Sequence, residues 1–328
     1  MRKGESGQGE GCGQGGETPL GRGATRRPSL PRTGCKGKVS DGGRAAGAEA
    51  PEPPGGAPGL GVVPLSPPAV PRTRLSVNLN KVALVRTARG GDRPDVAHLA
   101  RLCLDAGADG LTLHPRPDGR HARADDVRAL AALAAEAGRE MNVEGNPFEG
   151  ATTGADGYAF PGFLPLVAEV RPAQVTLVPD APGQLTSDHG WTLARDAARL
   201  APVVEALHAQ GARVSLFVAA DADAARRAAD VGADRVELYT GPYAHAAASG
   251  RGSEVLPAYA EAARAARAAG LGVNAGHDLD VDNLGPFLRA VPGVDEVSIG
   301  QALVADALEH GLDAAVRAYL AVLERGAD

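Results

Sequence analysis

Cysteine is nearly absent: three residues in 328, two of which (Cys12 and Cys35) lie ahead of residue 73. That leaves no disulfide framework and no cysteine zinc cluster, and Cys103, inside an amphipathic helical pattern, reads as a core residue. No apolar run reaches the length of a membrane span, so no membrane partner is expected. A Cys/His metal spacing, a Walker loop, a dinucleotide fingerprint and a nucleophile elbow are all missing. The sequence therefore predicts no metal, no cofactor and catalysis by side chains alone. Positive charge is short as well. Residues 1–72 hold 10 of the 34 Lys and Arg and 6 of the 40 Asp and Glu, which leaves 24 basic against 34 acidic residues beyond them, a net charge near −10. Such a surface disfavours nucleic acid.

Regular structure is what residues 1–72 lack. They are crowded with Gly, Pro, Arg and Ser and show neither a period of 2 nor of 3.6, so disorder is expected there. The segment has no apolar core or small-residue cleavage site of a secretory signal, and Glu5, Glu10 and Glu17 argue against a transit peptide. An upstream stretch read through from a mis-assigned start is the alternative. Apart from Met1 the sole methionine is Met141, so a start near residues 62–75 would need a codon such as that of Val62 or Val63. A cytoplasmic protein with its folded domain over 73–328 is expected.

What is there is a repeated pairing of strand and helix. Eight short runs alternate apolar residues with Ser, Thr, Asn, His or Glu: Leu75-Ser-Val-Asn-Leu-Asn80, Leu111-Thr-Leu-His114, Met141-Asn-Val-Glu144, Gln174-Val-Thr-Leu177, Val214-Ser-Leu-Phe-Val218, Arg235-Val-Glu-Leu-Tyr239, Val273-Asn-Ala-Gly276 and Val297-Ser-Ile-Gly300. Strand side chains alternate between faces, so each run has one apolar and one polar face. Helical segments separate the runs, which makes the strands parallel and puts their apolar faces under the helices. The expected strands are 75–79, 110–114, 140–143, 173–178, 212–218, 235–240, 272–276 and 296–300. The helices between them are expected near 94–107, 123–137, 161–169, 193–210, 221–231, 254–269 and 283–290, with one or two more over 302–324. Eight βα units in about 250 residues match a (βα)8 TIM barrel, an α/β fold. A doubly wound sheet is the competitor, but its strands are apolar on both faces.

The polar faces then meet inside the barrel, and burying so many polar groups for packing alone is costly. Reactive residues of such barrels sit at the C-terminal ends of the strands. Those places hold Asn78, Asn80, Lys81, His114, Arg116, Glu144, Thr186, Glu237, Thr240, His277, Gly300 and Gln301. Two histidines and two carboxylates at one mouth supply general acids and bases. Arg86 and Arg89 after the first strand, Arg116 and Arg120 after the second, and Gly276 and Gly300 at the last two strand ends form two clusters suited to anions. Two phosphate groups, or one long anionic substrate, would fit them; pairing with surface carboxylates is the plainer use of the arginines.

These residues resemble a known family. Val77-Asn-Leu-Asn-Lys-Val-Ala-Leu-Val-Arg-Thr-Ala-Arg-Gly90, Gly110-Leu-Thr-Leu-His-Pro-Arg-Pro-Asp-Gly-Arg-His121, Asn142-Val-Glu144, Val175-Thr-Leu-Val-Pro179, Glu237-Leu-Tyr-Thr-Gly241, Asn274-Ala-Gly-His277 and Ser298-Ile-Gly300 follow the order of the pyridoxine 5′-phosphate synthase family from about residue 74 to 324. The resemblance implies a transferase of vitamin B6 biosynthesis that condenses 1-deoxy-D-xylulose 5-phosphate with 3-amino-2-oxopropyl phosphate and releases phosphate and water. It implies His114 and Glu144 as proton acceptors, His277 as proton donor and Glu237 as transition-state stabiliser. It implies Asn80, Lys81, Arg116, His121 and Thr186 for the deoxyxylulose phosphate. For the other phosphate it implies Asn78, Arg89, Asp278, Gly300 and Gln301. A homo-octamer built from dimers is implied as well.

The chain departs from the commonest family pattern at Asn80-Lys81, where Asp-His is usual, at Asp278, where Gly is usual, and at Gln301, where His is usual. Gln donates a hydrogen bond but carries no charge and relays no proton. Two rivals remain at this stage: another phosphate-binding barrel aldolase or isomerase, for which Lys81 is the only strand-end lysine, and an inactive barrel that serves as a binding protein.

Overall fold

The computed structural model describes residues 72–154, 157–181 and 183–326. The disorder expected of residues 1–72 thus falls, except for Arg72, outside the described residues. Arg72 itself belongs with the barrel, since its guanidinium holds both carboxylate oxygens of Asp109 at 2.7 and 2.8 Å.

The chain begins β1 (Arg74–Asn78), α1 (Asn80–Thr87), α2 (Val96–Asp105), β2 (Gly110–Leu113), α3 (Ala124–Ala137) and β3 (Glu140–Gly145). A two-stranded antiparallel ladder, β4 (Thr152–Thr153) and β5 (Ala159–Phe160), precedes α4 (Phe163–Val170). Then come β6 (Gln174–Leu177), α5 (Leu193–His208), β7 (Arg213–Val218), α6 (Ala222–Asp230), β8 (Arg235–Tyr239), α7 (Gly241–Ala248) and α8 (Gly252–Ala268). The chain closes with β9 (Gly272–Gly276), α9 (Leu284–Ala290), β10 (Glu296–Ile299), α10 (Gln301–His310) and α11 (Leu312–Gly326).

Eight of these strands close a parallel barrel in the order β1-β10-β9-β8-β7-β6-β3-β2. The expected strand and helix order holds, with three additions. Short helices α1 and α7 follow β1 and β8 directly, and the β4–β5 ladder lies between β3 and α4. Neither α1 nor the ladder has the length or periodicity to announce itself.

The alternation in each strand does what it predicts. Leu75, Val77, Leu111, Leu113, Val143, Val175, Leu177, Val214, Leu216, Val236, Leu238 and Val297 belong to the apolar core and have no exposed surface. Their neighbours point inward and bond to the next strand: Ser76 to Thr112 at 2.6 Å, Thr176 to Asn142 at 3.1 Å. The returns into the strands use one device. Gly107, Gly211 and Gly232 turn the chain at φ 111°, 85° and 91°, a region that glycine enters at no steric cost. Asp109 and Asp234 then accept the backbone N–H of Leu75 and Val214 at 2.9 and 2.7 Å, tying each strand to its neighbour.

The N-terminal end of the barrel is closed by charge. Arg74 reaches Glu140 at 2.7 Å and Glu296 at 3.7 Å, Arg235 reaches Asn274 at 2.7 Å and Glu296 at 3.9 Å, and Arg213 reaches Gln174 at 2.9 Å and also Glu140. Gln174 donates to Glu296 at 3.0 Å. A buried carboxylate is tolerable when guanidinium and amide donors surround it in this way.

Candidate active site

At the other end the strands open into one cavity of about 370 Å³. Its wall carries Asn78, Asn80, Lys81, His114, Arg116, His121, Glu144, Thr186, Glu237, His277, Asp278, Gly300 and Gln301, together with Val178, Leu185, Ser187, Phe217 and Ser298. Of the residues singled out as site residues by the resemblance, Arg89 alone is not in this wall; it is exposed after α1. Lys81 is the one lysine after Lys38 in the chain, and it sits at the start of α1 rather than on a strand.

Backbone shape makes room for these groups. A methyl on Gly276 would lie 2.3 Å from Glu237 Oε1, so the carboxylate keeps its place only beside a glycine, and one on Gly300 would crowd the Asn78 carbonyl at 3.0 Å. Helices α1 and α10 begin at the cavity, where Asn80, Lys81, Gly300 and Gln301 line it. Their free N–H groups and dipoles favour an anion.

Asn78 and Asn80 order the floor. Asn80 Oδ1 accepts the backbone N–H of His114 at 2.8 Å, Asn78 Oδ1 accepts that of Asn80 at 3.1 Å, and Asn78 Nδ2 donates to Glu144 at 3.3 Å. His121 Nδ1 accepts the N–H of Ala122 at 2.8 Å. The ring proton of neutral His121 is therefore on Nε2, free to donate.

Burial sets the protonation states. It pushes the His114 imidazole well below its ordinary range, and the positive charge of Arg116 pushes the same way. Burial and then Arg116 bring His121 down to about 3. Both rings are neutral at pH 7, so His114 can accept a proton. Glu144 is raised to about 7, first by burial and then by the nearby charge of Asp180, against the opposing pull of His277 and Arg116. Glu237 is raised well above the carboxylate range by burial, then by Glu144 and Glu296. A carboxyl kept protonated at neutral pH donates a hydrogen bond to charge that develops on a substrate.

One group escaped the sequence reading. Asp180, fully buried just after β6, takes a hydrogen bond from Ser187 at 2.7 Å and an ion pair from Arg116, and its Oδ2 lies 4.0 Å from His114 Nε2. Its signal in the sequence, an acidic residue at a strand's C-terminal end, was masked by the turn-like Pro179-Asp-Ala-Pro-Gly183. Among the described residues, His114 Nε2, Arg116 Nε and Asp180 Oδ1 are buried side-chain atoms with no partner in the protein. Of the other arginines expected at the anion clusters, two are spoken for. Arg86 pairs with Asp126, and Arg120 with Asp118 at 2.8 Å and the Gln184 carbonyl at 2.9 Å.

Known proteins resemble this chain over its barrel. The family model of the Pyridoxal phosphate biosynthesis protein PdxJ matches residues 75–325. A pyridoxine 5′-phosphate synthase of Xanthomonas axonopodis pv. citri (strain 306) is 59% identical over 254 residues, which span 77% of this chain and 98% of the relative. One of Albidiferax ferrireducens is 56% identical over 256 residues, spanning 77% of this chain and 98% of the relative. Among solved structures, 3-keto-L-gulonate-6-phosphate decarboxylase from Vibrio cholerae O1 aligns with a TM-score of 0.51 at 12% identity, over 78% of this chain and 99% of that one. At that identity the likeness concerns the barrel alone.

Proposed function

The chain belongs to the Pyridoxal phosphate biosynthesis protein PdxJ family, and from that premise we propose how its barrel mouth carries out pyridoxine 5′-phosphate synthesis. The substrates that go with this activity are 1-deoxy-D-xylulose 5-phosphate and 3-amino-2-oxopropyl phosphate. The amine of one adds to the ketone of the other, and proton transfers then drive loss of water and phosphate and closure of the pyridine ring. The observation that carries the reading is one cavity walled by His114, Glu144, Glu237 and His277, with protonation states that divide the labour.

Neutral His114 and ionised Glu144 take protons from carbon and nitrogen. Protonated Glu237 donates a hydrogen bond to oxygen as negative charge builds there. His277 returns a proton to the leaving oxygen. Asn80, Lys81, Arg116, His121 and Thr186 hold the deoxyxylulose phosphate, with His121 Nε2–H as a neutral donor. Asn78, Gly300 and Gln301, at the start of α10, hold the second phosphate. Arg89, exposed after α1 and outside the wall of the cavity, joins this second set on the family resemblance alone.

Work in the cytoplasm is supported by the absence, among the described residues, of any helix long and apolar enough to cross a membrane. Assembly into a homo-octamer rests on the family resemblance. Incubating the purified chain with the two phosphates and recording the pyridine chromophore tests the function. Its appearance with release of inorganic phosphate is expected, and its failure to appear with folded protein overturns the reading.

A further inference from the structure

Two consecutive residues of the mouth that are not glycine adopt left-handed backbone, His277 at φ 85° and Asp278 at φ 61°. That region disfavours most side chains, and Asp and Asn tolerate it best. The surroundings enforce it. Buried Thr240 directs its hydroxyl at the carbonyls of Gly276, 2.6 Å away, and of His277. Asn283 Nδ2 donates to the Asp278 carbonyl at 3.2 Å. Strain held in place this way points to a use.

The use is visible in the ring. Asp278 Oδ2 lies 2.8 Å from His277 Nδ1, and Thr186 Oγ1 lies 2.8 Å from His277 Nε2. Tyr239 packs edge-on against the imidazole with 5.2 Å between ring centroids. Both ring nitrogens are engaged and Tyr239 packs against the ring, so the ring has one orientation. A carboxylate at Nδ1 keeps the proton of the neutral ring there and leaves Nε2 as the nitrogen that exchanges protons. The same hydrogen bond holds the Asp278 carboxyl below its ordinary range, against the effect of burial. A carboxylate beside a phosphate dianion would repel it, which is a poor use of Asp278 as a phosphate ligand.

We propose that Asp278 is a positioning residue that orients His277 and fixes its tautomer, so that Nε2 delivers the proton to the departing oxygen of the substrate. This rests on His277 being the proton donor of the reaction proposed above. His277 enters the step as the imidazolium, its Nε2 proton taken up from an earlier intermediate of the same reaction, and the C–O bond then breaks with its electron pair going to oxygen. The Nε2 proton follows to that oxygen, and the proton on the adjacent carbon goes to a base of the mouth as the double bond forms. The Nδ1 proton stays between His277 and Asp278, and Asp278 itself remains ionised. Where glycine stands at this position, as in the commonest family pattern, no such pair can form.

The test uses Asp278→Gly and Asp278→Asn in the full chain. Glycine accepts the left-handed backbone without strain, so Asp278→Gly keeps or raises the melting temperature. The expected loss is in kcat, at least on the order of 10–100-fold, as for outer groups that orient a metal-bound histidine, with KM for the aminated phosphate little changed. Asp278→Asn keeps an oxygen facing Nδ1 and recovers part of that loss. Nitrogen-15 NMR of the substrate-free protein should show the His277 proton on Nδ1 in the wild type and Asn variant and a tautomer mixture in the Gly variant. An unchanged kcat in Asp278→Gly, a change confined to KM, or the same tautomer in all three proteins would overturn the proposal. The NMR arm does not depend on turnover, so a fixed tautomer in a chain that makes no pyridine would sink the reaction and spare the pair.

Discussion

The two ends of the barrel bury similar polar groups and treat them in opposite ways. At the N-terminal end, Glu140 and Glu296 sit among Arg74, Arg213 and Arg235, with Gln174 and Asn274 filling the remaining bonds. At the C-terminal end, Glu144 has only long contacts, 3.3 Å to Asn78 and 3.5 Å to Ser298, and Glu237 is 3.4 Å from Thr176. His114 Nε2, Arg116 Nε and Asp180 Oδ1 have no hydrogen-bond partner among the described residues. An unpaired buried polar atom costs stability, so a fold that satisfies one end and leaves the other open is paying for chemistry at the open end. The same polar alternation along each strand builds both; what differs is whether the partner is protein or substrate.

Removing the charge of Glu144 should separate the two ends most sharply. Glu144→Gln keeps the volume of the side chain and removes its proton transfer, so kcat should fall by roughly 10²–10⁴-fold with the melting temperature maintained. Near-normal turnover in that variant would remove Glu144 from the mechanism and blur the contrast.

The converse change is at the closed end. Arg235→Met deprives Glu296 of one of its two guanidinium neighbours, and breaking a buried pair costs about 3–5 kcal/mol. Thermal or denaturant unfolding should register a large loss of stability, while kcat per folded molecule stays as in the wild type. A large fall in kcat with stability retained would show that the closed end takes part in turnover.

The smallest effect is expected at Gln301, which faces the cavity from the first turn of α10. Restoring a charged donor in Gln301→His changes a neutral hydrogen bond of roughly 0.5–1.5 kcal/mol into one of roughly 1.5–3. KM for the aminated phosphate should fall several-fold with kcat nearly constant. A gain concentrated in kcat would instead assign this position a proton transfer that Gln cannot perform.

Much of this was legible in the sequence. The alternation of Leu75, Val77 and Asn78, or of Val143 and Glu144, dictates both the outer core and the inner polar face, and most strand ends then name a candidate site residue. Short elements escaped because α1 and α7 begin at polar or helix-breaking residues, Asn80 and Gly241-Pro242, and two-residue strands have no period to read. Partner choice escaped too. Nothing in the spacing of Arg86 and Arg120 says that Asp126 and Asp118 will take them, and nothing local tells Asp180 from an ordinary turn residue. The pairing of His277 with Asp278 depends on two left-handed residues in succession, which sequence pattern does not report.

The contrast between the two ends turns on a carboxylate poised for proton transfer at neutral pH at the open one. The direct measurement is kcat/KM for pyridine formation as a function of pH in the wild type and in Glu144→Gln. Burial and the charge of Asp180 raise Glu144 to about 7, and a proton acceptor works only when ionised. The wild-type rate should therefore climb as pH rises through about 7, and the residual rate of Glu144→Gln should lack that climb. A variant whose profile keeps the same rise at the same pH would contradict the assignment of the open end as the proton-transfer site through Glu144.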